Sequence, residues 1–145
     1  MKIITNTDML HRKCESISYE SSLEIARKMK LFLLSNKNIA NKTIGLACNQ
    51  LGLKGRVVII KHSNKWLHLI NPIIIEKSND MITTKEECLS VPGKSISIER
   101  HRTIQITHTT GLYDVWEYYK PSISESIVIQ HEIDHLDGII ITDKE

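Results

Sequence analysis

Near the C-terminal end of the chain, His131-Glu132-Ile133-Asp134-His135 sets two imidazoles four residues apart with a carboxylate between them. On a helix that spacing puts both rings on one face, so they can hold a single ion while Glu132 stands beside it. The pair is incomplete as a catalytic centre, because such sites usually take three protein ligands and keep one position open for water. A third histidine at metzincin spacing would fall on Ile141, which excludes that class. A carboxylate from a further downstream helix is excluded too, since only ten residues follow His135. The third ligand must therefore lie upstream.

Three cysteines are available, Cys14, Cys48 and Cys88. Cys88 lies in Glu86-Glu87-Cys88-Leu89-Ser90, ahead of Val91-Pro92-Gly93, which reads as a turn and predicts an exposed thiol at a strand end. Cys48 lies among small and apolar neighbours, Ile44-Gly45-Leu46-Ala47, and a buried free cysteine is ordinarily a small hydrophobe. Cys14 stands among Arg12, Lys13 and Glu15. The chemistry favours Cys88 over Cys48.

Three segments in fixed order resemble the peptide deformylase family: Thr43-Ile44-Gly45-Leu46-Ala47-Cys48-Asn49-Gln50, Glu86-Glu87-Cys88-Leu89-Ser90 and Gln130-His131-Glu132-Ile133-Asp134-His135-Leu136. Arg56-Val57-Val58, Leu69-Ile70-Asn71-Pro72 and Asp137-Gly138 extend the likeness over nearly the whole chain. The resemblance implies that Cys88, His131 and His135 hold one divalent ion. Fe(II) would be native, with Zn(II), Ni(II) or Co(II) in purified protein, and a thiolate-imidazole set suits such ions. The ion would lower the pKa of water to ~7, Glu132 would carry the proton to the leaving amine, and the Gln50 side chain and Leu89 N–H would stabilise the oxyanion. It implies a substrate groove at Ile44, Gly45, Glu86, Ile127 and Val128, although Ile44, Ile127 and Val128 suit plain core equally well. Arg100 would pair with Asp134 behind the metal. His11, His62, His68, His101 and His108 show no ligand spacing and read as surface or strand residues.

The chain departs from the family pattern at three positions. Thr43 stands where the pattern has its first Gly, Cys48 where it has Ala, and Glu87 where it has Gly. Because glycine lets a ligand approach the backbone closely, Thr43 and Glu87 are expected to narrow or re-aim the groove, with Glu87 pointing outward. They are also the sole support for a second reading, a catalytically impaired, metal-stabilised binding module. The short tail after the metal motif resembles the family's short form, without a long C-terminal helix.

The elements that must position these residues follow from periodicity. Ser21-Ser22-Leu23-Glu24 has capping-box form and predicts a helix from about Ser22 to Ser35, with Leu23, Ala26, Leu33 and Leu34 at helical spacing. Strands are expected at Val57–Ile60, Leu67–Ile70, Ile73–Ile75 and Thr103–Thr107, then a turn after Thr110-Gly111 into Val115–Tyr119. Ser122 with Glu125 caps the last helix, and Gly138 ends it. The expected fold is α+β, antiparallel β-sheets around a central helix carrying the His-Glu-x-x-His motif, in a single domain over residues 1–145.

A chain of 145 residues is long enough to bury ~70% of its unfolded surface. No stretch of about 18 apolar residues offers a membrane span, and the N-terminus lacks a signal-peptide core. Three cysteines, an odd number, suggest a reducing compartment. Cytoplasm is therefore expected, of a bacterium or a phage-infected cell, or an organellar matrix. Nineteen basic against seventeen acidic residues leave a charge of +2, too balanced for specific nucleic-acid binding. The partners implied by the resemblance are N-formylmethionyl nascent peptides and the ribosome that carries them.

Overall fold

The computed structural model describes residues 1–111 and 115–145. Helix α1 (Thr7–Leu10) is followed by α2 (Tyr19–Ser35) and the short α3 (Lys37–Ala40). Helix α2 starts three residues before the expected position, because the Ser18 hydroxyl, not that of Ser21, accepts the first free amide, from Ser21 N at 3.2 Å. Both serines are competent caps. The earlier one wins, and Ser22, Ala26, Met29 and Leu33 then share the buried face. Leu34, expected on that face, is 65% exposed, since one residue beyond Leu33 swings about 100° around the axis.

Strands β1 (Gly45–Ala47), β2 (Val57–His62) and β3 (Lys65–Ile70) form one antiparallel sheet in that order, so β1 is an edge strand. A 3₁₀ turn, Cys48–Leu51, follows β1. β4 (Ile73–Lys77), β7 (Ile104–Thr110) and β8 (Val115–Tyr119) form a second sheet, order β4-β7-β8. The turn expected after Thr110-Gly111 runs through residues outside those described. Ile104 and Ile106 are buried on one side of β7, as the alternation predicts.

A third, two-stranded sheet was not legible in the sequence: β5 (Met81–Cys88) pairs with β6 (Val91–His101). The reversal falls at Leu89-Ser90, with Cys88 opposite Val91, so Pro92-Gly93 lie within β6 and are not the turn. The inward face of this hairpin carries Glu86, Cys88 and Arg100 beside Ile96 and Ile98, so the apolar alternation by which a strand is ordinarily read is confined to Ile96 and Ile98 on β6.

Helix α4 (Ile123–Leu136) begins as expected. The Ser122 hydroxyl accepts from Glu125 N, and the Glu125 carboxylate accepts from Ser122 N, both at 3.2 Å. It packs on β1 and β2, with Ile129 and Leu136 fully buried in a core shared with Met29, Leu33, Leu46, Ile59 and Leu69. Gly138 follows at φ +77°, where a Cβ would sit 2.4 Å from the His11 carbonyl oxygen. No helix is long and apolar enough to cross a membrane among the described residues.

Candidate metal centre

Helix α4 presents His131, Glu132 and His135 on the side facing the β5–β6 hairpin. The two Nε2 atoms stand 3.2 Å apart, and Cys88 Sγ lies 3.3 Å from His135 Nε2. Among the described residues, Cys88, His131 and His135 are the group of histidine, cysteine and carboxylate side chains able to close on one ion, their donor atoms lying within 4.8 Å of one another. Cys88 reaches them from the end of β5, where a register shift between Glu86 and Cys88 turns the strand. It is buried, only 8% exposed, which corrects the expectation of an exposed strand-end thiol. The helix and the small core of Cys88, Ile96, Ile98 and Ile141 cover it.

Each donor is aimed. Glu86 Oε1 bonds His131 Nδ1 at 2.8 Å, which leaves Nε2 for an ion. Glu86 is itself held by Arg100, through Nε at 2.9 Å and Nη2 at 2.8 Å, and by the Thr84 hydroxyl at 2.6 Å. Burial alone would raise its pKa, but these hydrogen bonds outweigh that and hold the carboxyl well below the usual range. Arg100 also bonds Asp134, as expected, so one buried guanidinium joins β5, β6 and α4. Sequence reasoning placed Glu86 in the groove and missed its grip on His131 and Arg100. The i, i+2 spacing of Thr84 and Glu86 on one strand face was the available signal.

The trio fits a divalent cation. Burial first, then the neighbouring His131, pushes His135 down to about 3, which leaves the ring neutral and free to offer Nε2 to a cation. At His131 burial opposes charge, but hydrogen bonds with Cys88 and Glu86 prevail and raise its pKa to about 10, a proton that a cation would displace. A soft thiolate with two imidazoles is a donor set for Fe(II) or Zn(II).

Glu132 is 4% exposed, and its Oε2 has no hydrogen-bond partner among the described residues. Burial is the main reason its pKa rises to about 7. Gly45 makes room for it, since a Cβ there would lie 2.9 Å from Glu132 Oε1 and 2.7 Å from Val128 Cγ1. Gln50, also buried, accepts from Ala47 N at 2.9 Å and donates Nε2 to Ser90 Oγ at 3.1 Å. Ser90 was not among the expected site residues.

These groups form the floor of a cleft of about 940 Å³, lined also by Ile44, Leu89, Ile127 and Val128. Ile44 is 59% exposed, so it is not core. Ile127 and Val128 are half-buried. Thr43 and the exposed Glu87 line the rim. Cys48 stays apart, its thiol donating to Gly55 O at 3.1 Å. The other histidines lie elsewhere, His11 against Asp143, His62 against Glu125, His68 against Lys30, His101 on the Ser78 carbonyl and His108 on β7.

A cation site beside a carboxylate that both takes and gives a proton near neutrality is equipped to activate water, and the chain is a metal-dependent hydrolase by class. Residues 1–145 match the family model for polypeptide deformylase, and the chain belongs to that family. The peptide deformylase of Finegoldia magna is 42% identical over 106 residues, 72% of this chain and 65% of that protein. The one from Helicobacter pylori strain P12 is 36% identical over 138 residues, 90% of this chain and 76% of the relative. The chain thus spans about two thirds to three quarters of these relatives. A probable peptide deformylase from Synechococcus phage S-SSM7 superposes with a TM-score of 0.83 at 28% identity, covering 100% of this chain and 99% of that one.

Proposed function

We propose that this chain removes the formyl group from the N-terminal formylmethionine of nascent polypeptides, releasing formate and a free amino terminus. The observation that carries the reading is the convergence of Cys88 Sγ, His131 Nε2 and His135 Nε2 beside the buried, near-neutral Glu132 at the floor of the cleft. A divalent ion held by the three, Fe(II) by preference, supplies Lewis acidity and lowers the pKa of water to ~7.

The remaining steps belong to the protein. Glu132 accepts the proton of the attacking water and returns it to the departing amine. Gln50 Nε2 turns from Ser90 toward the developing oxyanion, joined by the Leu89 backbone N–H. Ile44, Gly45, Ile127 and Val128 receive the methionine side chain. Glu86, Arg100 and Asp134 keep His131 in the tautomer that frees Nε2. The substrate's chemistry would put the enzyme where nascent chains emerge from the ribosome, in cytoplasm or an organellar matrix.

The impaired-module reading is not favoured, because Gln50, Cys88, His131 and Glu132 line one cleft with His135 closing on Cys88 and His131, while Thr43 and the exposed Glu87 also line it without separating them. The test is formate release from formyl-Met-Ala-Ser by the Fe(II)- and Ni(II)-loaded protein. Turnover that disappears on chelation and returns with metal is expected. No formate from either form, with one ion bound per chain, would overturn the reading.

A further inference from the structure

The open edge of β1 carries a contact that the chemistry above leaves unused. Ile44 O accepts from Lys61 N at 2.9 Å, and Gly45 lies opposite Ile60 in the register with β2. In an antiparallel pair, neighbouring residues alternate between facing the partner strand and facing away. Gly45 N–H and C=O therefore point away from β2, as Ala47 N does, which bonds Gln50 instead. β1 is the edge of its sheet, and Gly45 lines the cleft. An unpaired strand edge of this kind is where an extended peptide adds by main-chain hydrogen bonds.

That edge is occupied from within the chain. The Thr43 hydroxyl donates to Gly45 O at 2.6 Å, and its Oγ1 accepts in turn from Gly45 N–H at 3.4 Å. The carbonyl bond is short and the return bond long, so the acceptor is the group chiefly satisfied. Thr43 stands where the family pattern has glycine, a residue with no side chain to make such a bond.

We propose that the Thr43 hydroxyl is a built-in cap on the β1 edge, which an incoming extended peptide must displace before its own amide N–H can pair with the Gly45 carbonyl. Thr43 is thereby an affinity-setting residue: it weakens every extended peptide that uses that carbonyl and leaves the chemical step alone. A peptide with no N–H to offer there escapes the penalty, and with it any gain from removing the hydroxyl. The proposal rests on the reading of the cleft as a peptide site.

A net neutral hydrogen bond corresponds to about a twofold to tenfold change in an equilibrium. In the metal-loaded enzyme, Thr43→Ala and Thr43→Gly should lower KM for formyl-Met-Ala-Ser by about that factor, with kcat within about twofold of wild type. Thr43→Ser, which keeps the hydroxyl, should restore the wild-type KM. A damaged fold would not give this split or this rescue. Among peptides methylated at one amide nitrogen at a time, the gain should vanish for the nitrogen that pairs with Gly45. The same variants are titrated calorimetrically with unformylated Met-Ala-Ser, which needs no turnover. Unchanged or raised KM in both Thr43→Ala and Thr43→Gly, or a gain surviving in every methylated peptide, overturns the cap while formate release upholds the function. If no form releases formate, the functional reading falls, and the cap stands or falls on whether Thr43→Ala tightens Met-Ala-Ser binding and Thr43→Ser does not.

Discussion

In the proposed reaction Glu132 and Cys88 divide the work of the site between proton transfer and metal binding, and each is separable by a single substitution. Glu132 is buried with a carboxylate oxygen unpartnered among the described residues, and its pKa near 7 comes chiefly from that burial. Glu132→Gln keeps the shape and removes the proton acceptor, so metal content by elemental analysis should stay at one ion per chain while kcat falls by ~10²–10⁴. Near-normal turnover would hand the base's role to another group. For Cys88, coordination deprotonates and shields the thiol. It should resist alkylation in the loaded protein and react after chelation, as peptide mapping reads directly, and a reactive Cys88 in the loaded form would remove it from the ligand set. The convergence of Cys88 with His131 and His135 was legible from the one-turn spacing of the two imidazoles and the order of the three segments, although the turn read at Pro92-Gly93 falls at Leu89-Ser90. The grip of Glu86 on His131 and Arg100 was not legible, because it depends on a hairpin register that brings positions 86 and 100 together only in the folded chain.

At the scale of elements, legibility follows how far a local rule outweighs its competitors. The start of α4 was readable, because Ser122 and Glu125 satisfy each other's backbone amides, a reciprocal pairing that Ser124, with Ile127 three residues on, cannot make. The start of α2 was misread, since Ser18 and Ser21 both qualify and it is the Ser18 hydroxyl that takes the Ser21 amide. Because α4 carries both histidines, its cap also steadies the metal centre. Ser122→Ala should cost about 1 kcal/mol in denaturant unfolding. Glu125 makes a further, pH-dependent contribution. Burial alone would raise its pKa, but bonds from His62, Ser122 and Tyr119 bring it below the ordinary value of 4.5. A carboxyl depressed in the folded state stabilises fully above its unfolded pKa and ceases to do so as pH falls through the folded one. Wild type should therefore lose stability relative to Glu125→Gln as pH is lowered below 4.5. Parallel acid titrations of the two by circular dichroism check this, and superimposable curves would refute it.

Across the whole molecule, the centre joins two parts that otherwise keep separate cores. Cys88 belongs to a small cluster with Ile96, Ile98 and Ile141, whereas α4 packs into the main core through Ile129, Ile133 and Leu136. The two are tied by Arg100 on Asp134, Glu86 on His131 and His101 on Gln130, and a bound ion would be a further link. A ligand that binds only the folded state adds about 2.7 kcal/mol when free ligand is a hundred times Kd. At roughly 2–4 °C per kcal/mol, chelation from that starting point should lower Tm by roughly 5–10 °C. The loss should not be uniform, because the main core keeps its packing while the hairpin has a small cluster of its own and is left with the bonds of Arg100, Glu86 and His101 to α4. Amide exchange should therefore quicken first across β5 and β6, with α2 and β2 little changed. Cys88→Ala should begin near the chelated wild type and respond weakly to chelator. An equal drop in the variant, or exchange that quickens evenly through the molecule, would show that the ion adds stability without joining the hairpin to the helix.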